Sequence, residues 1–166
     1  MKNDLDLDIE ILSGEEEAKL AFVGAAVSSK IKEGVLCDIG GGSTEVVLID
    51  QGKVIKSQSL SIGSLSAFND YVDGLFADKS SKKKIEKRLI ELFDNQSMYR
   101  EDFKVLSAVG GTARAALKVY REYYDLEDNI RSMKADDFNQ MVKDLVKKSD
   151  TKKMRLILDV KPDRIH

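Results

Sequence analysis

Residues 35–54 read VLCDIGGGSTEVVLIDQGKV, and the succession of residue types along them decides the fold. An apolar run at 35–38 ends on Asp38, meets three consecutive glycines, and resumes as a second apolar run at 45–50 before Gln51 and Gly52. Two short apolar, β-branched segments of this kind, the second closed by a Gly-containing turn, predict antiparallel strands. A third strand follows at 53–61, KVIKSQSLS, with alternating character. The chain has only 11 glycines in 166 residues, and a tight turn needs one or two. Three together, with a carboxylate on each side, predict a backbone that lies against a ligand. Glycine reaches torsions barred to other residues and lets amide groups approach closely. Successive N–H groups in such a loop form an anion-binding nest. Gly40, Gly41, Gly42, Ser43 and Thr44 are therefore candidate phosphate-binding residues. Asp38 and Glu45 are candidate ligands for a bridging magnesium ion, which prefers oxygen ligands and phosphate. The competing possibility is a strained hairpin that binds nothing.

A second glycine pair repeats the theme. Residues 104–109, KVLSAV, predict a buried strand, and Gly110, Gly111 and Thr112 turn it into a helix over 113–124. Helix N-termini bind phosphate through free N–H groups and the helix dipole. Phosphate loops at strand ends also sit where open sheets place their ligands. Alone a Gly-Gly turn before a helix is a common structural device; two such strand ends in one chain, both carrying threonine, weigh more than their separate contributions.

The remaining segments complete an α/β order. Residues 8–12 alternate like a strand, and Ser13 with Glu16 three residues on forms a capping-box signature for a helix over 15–29. Gly63 precedes a helix through Phe76, DKSSKKK at 78–84 reads as a charged connection, and an amphipathic helix follows at 84–93. Another amphipathic helix is expected at 135–148, with aspartates in its first turn and lysines in its last. The basic stretch from Lys79 to Arg88 is expected to be a solvated helix face rather than an anion site. Glu15, Glu16 and Glu17 crowd a helix start, where interaction with the dipole suffices to explain the first two.

Bulk properties exclude several function classes. At 166 residues, 42% hydrophobic and 34% charged, this is one domain, or one lobe of a larger protein, with material for a core. The net charge of -2, from 27 basic and 29 acidic residues, exerts no general pull on nucleic acid or an anionic membrane. Cys37 is the single cysteine and His166 the single histidine, which argues against disulfides, a histidine-dependent nucleophile and a histidine-rich zinc site. No segment approaches the roughly 20 apolar residues of a membrane span, and the acidic start lacks a signal core. The expected location is the cytoplasm.

Four segments in order, ILSGEEEAKLAFVGA (11–25), VLCDIGGGSTEVVLIDQGKV (35–54), LSIGSLSAF (60–68) and VLSAVGGTARAALKV (105–119), resemble the exopolyphosphatase and guanosine pentaphosphate phosphatase family, Ppx/GppA. The resemblance implies a ribonuclease H-like lobe of the actin, sugar kinase and heat-shock ATPase superfamily, a mixed sheet flanked by helices. It implies that Glu17 activates the attacking water, that Glu45 helps place the water or the magnesium, and that Asp38 lies near the metal. It further implies that the backbone of 40–44 holds a terminal phosphate and that Gly110 to Thr112 form the second phosphate loop. The family's first-lobe Asp-x-Gly-Ser-Asn motif is absent here, so the whole chain is expected to be one domain, the second lobe of a two-lobe enzyme. Two further departures stand out: Ser66 where many members carry a basic residue, and Lys19 where an arginine is usual, a charge without the bidentate fork.

The expected activity is hydrolysis of the terminal phosphoanhydride of inorganic polyphosphate or guanosine pentaphosphate. The partners implied are that substrate, the first lobe of the full-length chain and, at full length, a second copy in a homodimer. With half the cleft missing, the isolated lobe is expected to be nearly inactive. The alternatives are a sugar or acetate kinase-like lobe, a polyphosphate- or nucleotide-binding sensor without turnover, and an interaction module like the cell-division members of the superfamily.

Overall fold

The computed structural model describes residues 11–14, 16, 17, 19, 20, 23, 24, 31–94 and 103–160. Its centre is the hairpin pair expected from the glycine-bearing stretch. Strand β1 is Gly34–Ile39, β2 is Thr44–Asp50 and β3 is Lys53–Leu60. Gln51 and Gly52 join β2 to β3 with φ of 49° and 74°, the left-handed pair of a type I′ turn, whose twist matches that of the flanking strands. Strand β4, Leu106–Val109, lies parallel to β1, giving a four-stranded sheet in the order β3-β2-β1-β4 with β1–β2 and β2–β3 antiparallel.

Period-two alternation sorts the strand residues between two faces. Leu36, Val47 and Ile49 are buried on one face, with Ile31, Val54 and Val109 against them. Val35, Val46, Leu60 and Ile62 are buried on the other, packed with Ala67, Tyr71, Leu89, Leu92 and Phe93. Those last five belong to helices α1, Ser64–Tyr71, and α2, Lys79–Asp94, which cover that face. Helix α3, Gly110–Tyr124, runs back from the end of β4 against β1, followed by α4, Ala135–Lys147, and α5, Asp150–Val160. The hydroxyl of Tyr124 donates to the Asp137 carbonyl at 2.7 Å and that of Tyr123 to Asp144 at 3.0 Å, tying α3 to α4.

Three expectations are corrected. The DKSSKKK segment is not a connection: Asp78 accepts from the Ser81 amide at 2.8 Å and from its hydroxyl at 2.9 Å, an N-terminal cap that starts α2 at Lys79. The lysine run is therefore part of a helix, with Lys82 paired to Glu86 and Lys84 to Asp73, and further along Lys87 to Glu91. Strand β4 is not buried: it is the sheet edge, and Leu106 is 67% exposed. Helix α1 ends at Tyr71, because Val72 turns extended at φ -112°, ψ 113° before Asp73 and Gly74. The strand expected at 8–12 falls mostly outside the described residues; Ile11 and Leu12 are not in a strand. The described residues among 15–29 (Glu16, Glu17, Lys19, Leu20, Val23, Gly24) are helical, as is Gly14. The Ser13–Glu16 capping box is formed, with the Ser13 amide donating to the Glu16 carboxylate at 2.8 Å and the Glu16 amide to the Ser13 hydroxyl at 3.3 Å.

Candidate phosphate site

Strand register brings together residues that are far apart in sequence. Asp38 on β1 stands directly opposite Glu45 on β2, Glu45 opposite Ser59 on β3, and Asp38 beside Val109 on β4. These positions form one transverse row across all four strands, at the end of β1 and β4 from which both glycine segments emerge. Glu45 is only 3% exposed, and its Oε1 accepts from the Ser59 hydroxyl at 2.8 Å. Two carboxylates directly opposed on one sheet face cost stability rather than adding to it. Their pairing makes this row the candidate site.

The glycine loop is held from outside by α1. The backbone N–H of Ser64 donates to the Gly40 carbonyl at 2.8 Å, and those of Leu65 and Ser66 to the Gly41 carbonyl at 2.9 and 3.0 Å. The helix's first amides, ordinarily free for an anion, are thus occupied by the loop's carbonyls. Among the described residues, nothing accepts from the amides of Gly41 and Gly42, and both residues are exposed. The second glycine segment joins the first through hydroxyls: Thr112 Oγ1 donates to Ser64 Oγ at 3.3 Å, and Ser64 Oγ to the Gly40 carbonyl at 3.0 Å. Thr44 spends its hydroxyl proton inside the fold, on the Ile62 carbonyl at 2.6 Å.

The torsional reason expected for the glycine run does not apply, since Gly40, Gly41 and Gly42 all lie outside the left-handed region. A Cβ at Gly42 would meet nothing within 4 Å, and one at Gly41 would make only an ordinary contact at 3.8 Å with Leu65. The fold itself leaves that space open. Gly110 is the opposite case. Its φ is +85°, and a Cβ there would come within 2.3 Å of Asp38 Oδ1, so glycine is demanded by both torsion and close approach. The helix opens at Gly110 itself, three residues before the expected start, so the amides of Gly110, Gly111 and Thr112 are its first turn.

Burial, and then repulsion by Glu45, lift the Asp38 carboxyl above its ordinary range, while the Arg114 guanidinium partly opposes the rise. An acid whose pKa is raised by folding binds its proton more tightly in the folded chain. Its ionised form therefore lowers stability above the raised value, and the penalty fades as pH falls toward the ordinary 3.8. Asp38→Asn is expected to raise the melting temperature at neutral pH in magnesium-free buffer, with the gain shrinking as the buffer is acidified through the carboxylate range. Thermal denaturation followed by circular dichroism across pH checks this; a gain that does not depend on pH would remove the electrostatic explanation. Beside it, burial together with Asp38 and Glu45 pushes the Cys37 thiol up to about 11, which leaves it without thiolate character at neutral pH.

Glu17 is exposed and sits one turn beyond the Ser13 cap, its amide donating to the Ser13 carbonyl at 2.9 Å. Gly14, three residues earlier and so on the same helix face, packs directly on Ser59 of the row. Ser59, Ser64 and Arg114 were not singled out in the sequence. Serines near a Gly-rich loop are too common to notice, and Arg114 shows itself only because α3 returns along β1 beside Asp38. Ser66, the departure from the family's basic residue, accepts from the Gly63 amide at 2.9 Å and so caps α1. Among the described residues no three histidine, cysteine, aspartate or glutamate side chains converge as a metal cluster. Asp38 and Glu45 do fit magnesium, which takes one or two carboxylates and fills its shell with phosphate oxygens and water.

A mixed sheet with β1–β2 and β2–β3 antiparallel, β4 parallel to β1 and helices flanking it is of the actin-like ATPase type of fold. An exopolyphosphatase from Cytophaga hutchinsonii superposes with a TM-score of 0.71 at 20% identity, covering 96% of this chain and 53% of that one. The Ppx/GppA phosphatase of Aquifex aeolicus superposes at 0.70 and 18% identity, covering 99% of this chain and 55% of that one. Both show the fold. The sequence model of the Ppx/GppA phosphatase family matches residues 1–166, and the chain belongs to that family. A guanosine-5'-triphosphate,3'-diphosphate pyrophosphatase from Aeromonas hydrophila is 37% identical over 84 residues, 49% of this chain and 17% of that protein. The chain spans about half the length of the solved relatives.

Proposed function

We propose that the chain is the second lobe of a phosphatase that hydrolyses the terminal phosphoanhydride of inorganic polyphosphate or guanosine pentaphosphate, releasing orthophosphate, in the cytoplasm. The observation that carries this is the exposed Gly41–Gly42 backbone: its amides have no acceptor among the described residues, and the packing asks for no glycine at 42. A nest with room left for the ligand's oxygens accounts for both. Membership of the Ppx/GppA phosphatase family supports the phosphoryl chemistry.

In the mechanism, the amides of Gly41 and Gly42 and those of Gly110 to Thr112 hold the terminal phosphoryl group from two sides; the Gly40 amide, expected to join them, is instead spent on the Ser43 carbonyl at 3.0 Å. Asp38 and Glu45 would hold magnesium, which when bound neutralises phosphate charge. Glu17 orients a water in line and takes its proton as the new P–O bond forms. The bridging P–O bond breaks, and the shortened chain leaves with the electron pair. The transition state is loose, so positioning and charge neutralisation outweigh covalent assistance. Among the described residues no helix is long and apolar enough to cross a membrane.

The test is magnesium-dependent phosphate release from long-chain polyphosphate and from guanosine pentaphosphate, using this lobe joined to the first lobe the family carries, with Gly42→Ala beside it. The substrate released faster names the specificity. Gly42→Ala is expected to fold with a stability change within about 1 kcal/mol, yet to lose roughly tenfold to a hundredfold in kcat/KM because the phosphate is displaced. Tight polyphosphate binding with no release from the wild type would instead establish a sensor without turnover.

A further inference from the structure

Ser59 is the polar member of the transverse row that the phosphate chemistry above leaves without a role. Its hydroxyl reaches the Glu45 Oε1 at 2.8 Å, and its own backbone stands opposite Glu45 in the β2–β3 ladder. On its other side it meets the start of the helical stretch that carries Glu17. A Cβ placed on Gly14 would fall 2.5 Å from Ser59 Cβ and 2.9 Å from its Oγ, so the Gly14 backbone rests on this side chain with no space between. Gly14 has no left-handed torsion to account for it; close approach to Ser59 is what demands glycine there. One turn on, Glu17 shares that helix face.

We propose that Ser59 is a positioning residue for the reaction, setting two carboxylates at once. Its hydroxyl fixes the buried Glu45 in one rotamer, and its Cβ is the seat that fixes the height of the helix start, and with it Glu17, above the sheet. The proposal rests on the hydrolase reading of the site. It assigns Ser59 no contact with substrate. A hydroxyl donating to a carboxylate is a charge-assisted bond, shorter and more directional than a neutral one, and small misplacements of catalytic groups carry large rate penalties. The loops that hold the phosphates do not involve Ser59. Its removal should therefore act on turnover and spare substrate binding.

Three variants in the two-lobe protein, assayed by steady-state phosphate release and by thermal melting, separate the possibilities. Ser59→Ala removes the hydroxyl and keeps the Cβ seat; kcat is expected to fall about tenfold while KM stays within about twofold. Ser59→Thr restores the hydroxyl on a β-branched residue suited to a strand but adds a methyl group to the Cβ on which Gly14 rests, so it is expected to recover only the hydroxyl's share of kcat and to melt lower than the wild type. Gly14→Ala places a methyl group against Ser59 and should lower kcat as well, by displacing the helix start. If the wild type turns over and Ser59→Ala keeps its kcat within about twofold, the positioning role is overturned and the hydrolase reading stands. If Ser59→Ala loses kcat and melting temperature together and Ser59→Thr recovers no kcat over Ser59→Ala, the serine acts only through packing, and the proposal is again overturned. If the wild type releases no phosphate from either substrate, the hydrolase reading fails and the proposal fails with it.

Discussion

Glu17→Gln is expected to lower phosphate release by about a hundredfold to ten-thousandfold, the range for loss of a positioned general base. KM should change little, because the phosphate loops are on other elements. Glutamine has the same shape as glutamate but cannot take the proton of an attacking water. Glu17 is exposed and its amide bond to the Ser13 carbonyl is a backbone contact, so the exchange leaves the capping box of Ser13 and Glu16 untouched. Its effect on stability should stay within about 0.5 kcal/mol, as for other surface changes. Steady-state kinetics of the two-lobe protein on both substrates makes the measurement. A variant with wild-type kcat would remove Glu17 from the mechanism and return the helix-start glutamates to a dipole role.

Gly63→Ala is expected to produce a large loss of stability. A Cβ at this position would lie 2.6 Å from the backbone C and O of Gly41 and 2.7 Å from the Gly40 carbonyl. These are main-chain atoms of the loop, held by the amides of Ser64, Leu65 and Ser66, so no flexible side chain can move aside. Overpacking of this kind typically costs about 1–3 kcal/mol. For a chain of this size that corresponds to a fall in melting temperature of roughly 3 to 10 °C. Phosphate release should fall with it, because α1 can no longer clamp the loop. The contrast with Gly42→Ala is the informative comparison. Both add one methyl group at the same loop, but only the change at 63 meets protein atoms. Equal melting temperatures for the two variants would show that α1 does not clamp the loop as closely as these distances require.

How much was legible in advance follows the range of the interactions involved. The β1–β2–β3 meander was readable because strand alternation and the Gln51-Gly52 turn are local properties. So was the Ser13–Glu16 capping box, which spans three residues. The start of α2 was missed although its signal was present: Asp78 followed by Ser81 caps a helix, but the surrounding lysines, Lys79 and Lys82 to Lys84, drew the segment toward a connection. The exposure of β4 could not be read at all. A short apolar run has the same composition in the middle of a sheet as at its edge, and only the strand order β3-β2-β1-β4 shows that nothing in the described residues flanks its outer side.

The same division runs through the site. Its candidate groups were legible in the chain: three glycines after Asp38, Glu45 behind them, a second glycine pair at a strand end, and Glu17 one turn into a capped helix. Those choices concern backbone freedom and functional groups, which a residue carries wherever it lies. Tertiary structure decided which groups act together. Strand register placed Asp38, Glu45 and Ser59 in one row, and the return of α3 brought Arg114 to bear on Asp38. Helix α1 took the loop's carbonyls and left the amides of Gly41 and Gly42 without an acceptor among the described residues. Contacts between residues tens of positions apart depend on how separate elements pack, and no local pattern encodes that distance.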